Sequence, residues 1–110
     1  MASQYFRLLD AMDLVASMTQ PRDQVFDAGP YSKLELQFRV VRAGGAGTLQ
    51  LQHAAVNEES AYIALGAPVA LNATSNSHVS ISNYLRYVRW TTNAAVAGSP
   101  AALIDVLAKE

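Results

Sequence analysis

The amino-acid sequence predicts an all-β domain, an antiparallel β-sandwich or jelly-roll-like fold of about seven to nine short strands. Three observations predict this fold class. Apolar and polar residues alternate along several segments, turn-forming residues recur about every ten positions, and the 110 residues fit one domain. Within that domain, residues 1–20 are predicted to form an N-terminal arm or the first strands, and residues 21–110 the sandwich itself.

Composition narrows the range of functions. Only 15% of the residues are charged, so part of the surface is expected to face other protein. A net charge of −1 provides no basic excess to neutralise phosphates, so neither nucleic acid nor a membrane surface is expected as a partner. The chain has no cysteine, which excludes disulfides and zinc sites built on thiolates.

The N-terminal segment Gln4–Met18 allows two interpretations. It carries a partly apolar stripe at helical spacing, but it also reads as two short strands around Asp10–Asp13. Consistency with the rest of the chain favours strands. Gln24–Asp27 is predicted as a further short strand.

The clearest strand signal lies between Lys33 and Arg42. Its apolar positions, two residues apart, are Leu34, Leu36, Phe38 and Val40. That spacing is typical of a strand with one buried face. The glycine-rich segment Gly44–Gly47 and a second alternating run, Thr48–His53, follow. Two such runs around a glycine turn predict an antiparallel hairpin.

The middle of the chain predicts shorter strands. Ala61–Leu65 is expected to end at Gly66 and Pro68, because proline cannot donate to a central ladder. Val69–Leu71 is a candidate continuation, and His78–Ser82 alternates again.

The last two predicted strands, Tyr84–Thr92 and Ala101–Leu107, do not sort cleanly into a polar and an apolar face. In the first of them, either both faces are covered or a bulge shifts the register between Tyr87 and Val88. In the second, both faces are expected to be partly covered.

No catalytic constellation emerges from the sequence. His53 and His78 have no neighbours at metal-ligand spacing and are interpreted as hydrogen-bonded histidines at strand ends. The adjacent Glu58 and Glu59 lie in a polar loop, where they are expected to be solvated. We therefore expect a protein that is not an enzyme and that has no metal or cofactor.

Aromatic residues and arginines cluster in the penultimate strand, where Arg86 and Arg89 interleave with the rings. Such clusters bind sugars by stacking or lie in protein interfaces. The plainer interpretation is a core strand with Trp90 inside and the arginines exposed. As ligand-stacking residues the candidates are Tyr62, Tyr84, Tyr87 and Trp90.

From Tyr31 to the C-terminus the order of features resembles the small β-sandwich proteins of tailed phages and prophages, especially capsid-decoration and other accessory virion proteins. The segments that carry the resemblance are Leu34–Val40 with Thr48–His53, Leu85–Thr91, and Gly98–Pro100 leading into Ala101–Val106. In such proteins a polar loop after the strand that corresponds to Thr48–His53 often carries a tryptophan, and here Tyr62 stands in that place.

The resemblance implies a structural virion protein that decorates or cements a capsid-like shell. Its expected partners are capsid or particle subunits and further copies of itself, and its expected location is the virion, assembled in the host cytoplasm. The segment Ala2–Gln20 is the candidate contact arm. The candidate interface residues are Tyr5, Phe6, Leu8, Leu9, Met12, Leu14, Leu103 and Leu107. The alternative function is a carbohydrate-binding jelly-roll module.

Overall fold

A computed structural model describes residues 3–110, which form eight β-strands and two single-turn 3-10 helices. The strands are β1 (Ser3–Asp13), β2 (Phe26–Asp27), β3 (Lys33–Arg42), β4 (Thr48–Ala54), β5 (Ile63–Ala70), β6 (Ser75–Ile81), β7 (Tyr87–Thr92) and β8 (Ala101–Lys109). The helical turns are Arg22–Gln24 and Glu59–Ala61. Met1 and Ala2, the first residues of the predicted N-terminal arm, lie outside the described residues.

The strands form two four-stranded antiparallel sheets. The first sheet has the order β1-β8-β3-β6 and the second the order β2-β7-β4-β5. The first strand therefore pairs with the last, the second with the seventh, the third with the sixth and the fourth with the fifth. Such nested pairing, rolled over two sheets, defines an eight-stranded jelly roll. The predicted fold class is confirmed.

The predicted hairpin between β3 and β4 is wrong. β3 pairs with β6 and β8 in the first sheet, whereas β4 pairs with β5 and β7 in the second. The glycine-rich segment between them crosses from one sheet to the other. Alternation identifies the buried face of each strand but not the neighbour with which it pairs.

The glycines at this crossing allow close packing against the loop before β8. A Cβ at Gly44 would lie 2.4 Å from the carbonyl oxygen of Ala97. The backbone N–H of Gly44 donates to Leu71 over 2.8 Å, and that of Gly45 donates to Ala97 over 2.9 Å. The two loops therefore approach each other at backbone distance, which a side chain at Gly44 would prevent.

The N-terminal segment is one strand of 11 residues, so its helical interpretation is wrong. β1 pairs along its length with β8, and it is an integral part of the sandwich. Its register shifts twice, between Arg7 and Leu9 and between Asp10 and Asp13. The first shift leaves both Leu8 and Leu9 buried, which breaks the period of two that identifies a strand in the sequence.

Gly66 and Pro68 do not end β5, contrary to prediction. The strand continues to Ala70, and the register shift opposite Leu49 and Leu51 of β4 absorbs the irregular residues. β5 is an edge strand, where a proline need not donate to a neighbour.

The hydrophobic core lies between the two sheets. Its largest contributors from the central strands are Leu34, Leu36, Phe38, Leu49, Leu51, Val88, Trp90, Ile104 and Val106. Burying each such side chain stabilises the fold by about 1.5–3 kcal/mol relative to exposure. The indole N–H of Trp90 donates to the carbonyl of Leu8 over 3.2 Å, so its polar atom is satisfied inside the core.

Candidate interaction surface

The outer face of the first sheet carries an ordered group of polar and aromatic side chains. Because side chains alternate along a strand, every second residue of β1, β8, β3 and β6 points away from the core. We call this surface the Asp105 face. It comprises Tyr5, Arg7, Glu35, Gln37, Arg39, His78, Asp105 and Leu107.

Asp105 is the centre of this face. Its Oδ1 accepts hydrogen bonds from the Tyr5 hydroxyl over 2.6 Å and from Arg7 Nε over 2.8 Å. Its Oδ2 accepts from Arg39 Nη2 over 2.7 Å. Three strands are thus connected through one carboxylate, whose side chain is 12% exposed.

This arrangement favours the ionised form of Asp105. Partial burial alone would raise the pKa of Asp105, but the hydrogen bonds from Tyr5, Arg7 and Arg39 together outweigh it and lower the pKa below its ordinary value. The same carboxylate raises the pKa of the Tyr5 hydroxyl, because a phenolate there would lose its hydrogen bond to Asp105 and meet a negative charge. At neutral pH the centre is therefore a carboxylate held by a neutral phenol and two guanidinium groups.

Tyr5 presents its ring to solvent although its hydroxyl is anchored. The residue is 58% exposed and lies opposite Leu107 of β8, which is 38% exposed. An aromatic ring and an aliphatic side chain therefore form an open apolar pair beside the charged centre.

A second charged group lies across β3 and β6. The Ser80 hydroxyl donates to both oxygens of Glu35, and His78 Nε2 lies 3.6 Å from Glu35 Oε2. Lys33 Nζ is 3.9 Å from Glu35 Oε1. The Ser80 hydrogen bond is the main cause of the lowered pKa of Glu35, with the positive charges nearby adding to it.

Between these two groups is a shallow hollow of about 290 Å³. Its lining residues on the Asp105 face are Tyr5, Glu35, Gln37, His78, Asp105 and Leu107. Nε of Arg39 is also buried and has no hydrogen-bond partner among the described residues. Tyrosine and arginine are the residue types that carry much of the binding energy in protein interfaces. The residue types on this face are therefore suited to contact with another protein.

The candidate interface residues divide into three groups by exposure. Tyr5, Met12 and Leu107 are exposed. Phe6 is partly buried, with its ring 4.8 Å from that of Phe26. The remaining candidates are buried and not available to a partner: Leu8, Leu9, Leu14 and Leu103.

The four candidate stacking rings do not form a common surface. Trp90 is 2% exposed and lies in the core, as the plainer interpretation of this strand requires. Tyr84 packs against the core and donates its hydroxyl to the carbonyl of Tyr31. Tyr62 is also buried, and Tyr87 is partly exposed with the Arg86 guanidinium 5.0 Å from its ring centroid.

Arg89 is buried, which corrects the expectation that the arginines of β7 are exposed. It is 6% exposed on the outer face of the second sheet. Its guanidinium donates to Gln52 over 2.8 Å and to Glu59 over 2.5 Å, and its carbon lies 3.8 Å from the Tyr62 ring centroid. The register of β7 is continuous opposite β4, so the loop residues Glu59 and Tyr62 cover its second face and no bulge is needed.

The histidines lie at different kinds of positions. Nδ1 of His53 accepts a hydrogen bond from the backbone N–H of Leu85 over 3.0 Å, as expected for a histidine near a strand end. Burial lowers the pKa of His53. His78 lies in the middle of β6, so its predicted position at a strand end is wrong, and its side chain is 63% exposed. Within residues 3–110 no group of three or more histidine and carboxylate side chains is placed to share a metal ion.

The sequence pattern did not single out Arg7, Arg39 or Asp105 as interface residues. A signal was present, because Asp105 is the single charged residue in the otherwise apolar run from Ala101 to Ala108. A lone carboxylate in such a strand needs a partner. The identity of its partners depended on pairing with β1 and β3, which the sequence pattern does not determine.

Together, the strand order and this face define a jelly-roll domain whose first sheet has a polar and aromatic outer surface. No protein-family model matches the chain, and no curated protein or solved structure is similar enough to count as a match. No helix in the described part of the chain has the length and hydropathy required to cross a bilayer.

Proposed function

We propose that this chain is a structural component of a virion or similar particle, where it decorates or cements a capsid-like shell as a homo-oligomer. In this proposal the Asp105 face is the surface that contacts the shell subunits. The observation that carries the proposal is the Tyr5 ring, which is 58% exposed while its hydroxyl is fixed by Asp105.

A fixed and exposed aromatic side chain supports a binding role on energetic grounds. Ordering a flexible side chain at an interface costs about 0.5–1.5 kcal/mol, which lowers the affinity. Tyr5 is already ordered by its hydrogen bond, and Arg7 is ordered by the same carboxylate. A partner that covers these two residues and Leu107 would therefore gain apolar burial with little loss of conformational entropy.

The fold and the composition support the same proposal more weakly. Jelly rolls form the subunits of many viral capsids, although they also form lectins and cupins, so the fold alone does not define a function. The low fraction of charged residues, 15%, is consistent with a surface that is partly covered by other protein. The chain is proposed to act by binding and not by catalysis.

The four rings predicted to stack on a sugar do not form a common surface, which weakens the carbohydrate-binding alternative. Sugar stacking needs a ring face that is open to solvent. Trp90 is in the core, and one face of Tyr62 is occupied by Arg89.

The proposal is tested by asking whether the chain is a stoichiometric part of particles. Particles released by cells that carry the gene would be banded on a density gradient, and the chain quantified by mass spectrometry. The expected result is co-banding at a fixed copy number, which Tyr5→Ala strongly reduces. Tyr87→Ala, the same substitution on the outer face of the other sheet, is the matched control and should leave the copy number unchanged. A chain that remains at the top of the gradient contradicts the proposal.

A further inference from the structure

The free edge of β6 differs from the other strand edges of residues 3–110. β1 has two register shifts, β2 has two residues, and β5 has a register shift together with Gly66 and Pro68. β6 has seven residues, all in regular register with β3. Bulges, prolines, charges and short length are the features that protect sheet edges from pairing with another chain. β6 has none of these features.

The exposed edge is long enough to bind another strand. Seven residues in extended conformation span about 23 Å. Every residue from Ser75 to Ser80 is exposed, and Ile81 is partly exposed. Among residues 3–110, no strand neighbours the backbone N–H and C=O groups on the free side of this edge strand.

We propose that β6 pairs antiparallel with β6 of a second copy of this chain, about a two-fold axis that passes beside His78. The first sheets of the two copies then join into one continuous sheet. This inference deepens the oligomeric part of the proposed function by naming the surface, and it does not depend on which particle the chain binds.

The residues of β6 are compatible with themselves in this register. Antiparallel pairing centred on His78 places Ser77 opposite Val79 of the second copy. Ser75 then lies opposite Ile81, and Asn76 opposite Ser80. Core-side residues therefore meet core-side residues and outer residues meet outer residues, as a two-fold axis perpendicular to the sheet requires.

Charge favours a second copy as the occupant. β6 contains no lysine, arginine, aspartate or glutamate, so two copies can pair without placing like charges opposite each other. The other edge strand of the first sheet, β1, carries Arg7, Asp10 and Asp13, so it is less suited to an uncharged partner strand. An uncharged edge strand suits an uncharged partner strand, and β6 of a second copy is such a strand.

An apolar cleft beside β6 gives the pairing a hydrophobic contribution. β5 and β6 are the edges of the two sheets on the same side of the sandwich, and a cleft of about 240 Å³ lies between them. Its apolar lining includes Phe38, Leu65, Val79 and Ile81. Val79 is 39% exposed. A second copy paired along β6 would cover Val79 and narrow the opening of the cleft.

The joined sheet would also carry two Asp105 faces on the same side. Two copies of Tyr5 would then point in one direction from one rigid body. Such a dimer could engage two neighbouring shell subunits at once, and the second contact would benefit from a high effective concentration.

Sedimentation velocity of the purified full chain, from micromolar to submillimolar concentration, is the first test. The expected result is a dimer in equilibrium with monomer. Val79→Lys should raise the dimer dissociation constant by about a hundredfold or more, because it places an unpaired charge in the interface between the two β6 strands. Val15→Lys, the same change at a position that is 54% exposed near the end of β1, should leave it unchanged.

Register is tested with single cysteines, since the chain has none of its own. His78→Cys should form a disulfide-linked dimer with oxidised glutathione, because residues directly opposite in an antiparallel pair have Cα atoms about 4.5–5.5 Å apart. Asn76→Cys should not, because its copy would lie about 13 Å away along the strand. Both positions are exposed, so neither substitution should prevent folding, which circular dichroism would confirm.

The outcomes separate this inference from the proposed function. A chain that is monomeric at every concentration, or an Asn76→Cys variant that cross-links as fast as His78→Cys, overturns the β6 pairing. A dimer with the expected cross-link that never bands with particles supports the pairing and contradicts the proposed function. A monomer that bands with particles overturns the pairing and the homo-oligomeric part of the proposed function, but supports the role in a particle.

Discussion

The hydroxyl of Tyr5 donates to Oδ1 of Asp105 over 2.6 Å, and the two residues are separated by 100 positions in the chain. The contact joins the first strand to the last, and it anchors an aromatic ring that is otherwise open to solvent. The ring is therefore fixed by the fold itself before any partner arrives.

Removing the charge of Asp105 should destabilise the fold. In Asp105→Asn the amide nitrogen cannot accept from Arg7 or Arg39, and both guanidinium groups lose their carboxylate. We expect the free energy of unfolding in urea to fall by about 1.5–3 kcal/mol at pH 7, which is the range for hydrogen bonds to charged groups. Asp23→Asn, at an exposed position, is the control and should change it little.

The stability difference between the native chain and Asp105→Asn should depend on pH. The pKa of Asp105 is lowered in the folded state, so its stabilising effect is present above the pKa of the unfolded chain. The difference should be complete above about pH 5 and should disappear as the pH falls through the lowered pKa of the folded state. A difference that is equal at pH 3 and pH 7 would show that the ionised carboxylate is not the cause.

His53 should titrate below the ordinary range for histidine. Its Nδ1 accepts a hydrogen bond from Leu85, and burial lowers its pKa, so both features favour the neutral ring. A group with a lowered pKa in the folded state stabilises the fold above its unfolded pKa of about 6.5, and this stabilisation is lost as the pH falls. NMR titration of the ring protons should give a midpoint below 6.5. A midpoint at or above that value contradicts the hydrogen-bonded neutral ring.

Gly44→Ala should destabilise the crossing between the sheets. The added methyl group would lie 2.4 Å from the Ala97 carbonyl oxygen, so one of the two loops must move. We expect a loss of about 1–3 kcal/mol in thermal or urea denaturation. At Gly45 the nearest atom to an added Cβ is 4.0 Å away, so Gly45→Ala in the same loop should be neutral or slightly stabilising. Equal effects of the two substitutions would contradict the close approach of the loops.

Arg89→Lys should lower the free energy of unfolding more than the same substitution at Arg86. A lysine cannot form hydrogen bonds to Gln52 and to both oxygens of Glu59 together. It also has no planar group to stack on the Tyr62 ring as the guanidinium does. We expect Arg89→Lys to lower the free energy of unfolding by about 1–2 kcal/mol. Arg86 binds Asp27 at an exposed position, so Arg86→Lys should have a smaller effect. The reverse order would show that the burial of Arg89 is not what matters.

The sequence predicted the class of fold because β3 and β4 keep apolar residues at a regular spacing of two. It did not predict that β3 and β4 belong to different sheets, because a loop with several glycines suits a hairpin and a sheet crossing equally well. β1 stayed ambiguous because its bulge puts Leu8 and Leu9 on the same side. These errors concern pairing, which depends on residues far apart in the chain.

The candidate surface was only partly predictable for the same reason. Tyr5 and Leu107 were among the predicted interface residues and are exposed, whereas Leu14 is fully buried. An apolar residue near a terminus looks the same in the sequence whether it faces the core or solvent. The Asp105 centre requires three strands to be in register, and no local pattern contains that information.

Electron cryomicroscopy of purified particles that carry the chain would test the central proposal most directly. We expect the outer face of the first sheet to lie against the shell, with Tyr5 and Leu107 buried in the contact. Density that shows Tyr5 facing solvent while the second sheet contacts the shell would contradict the proposed function.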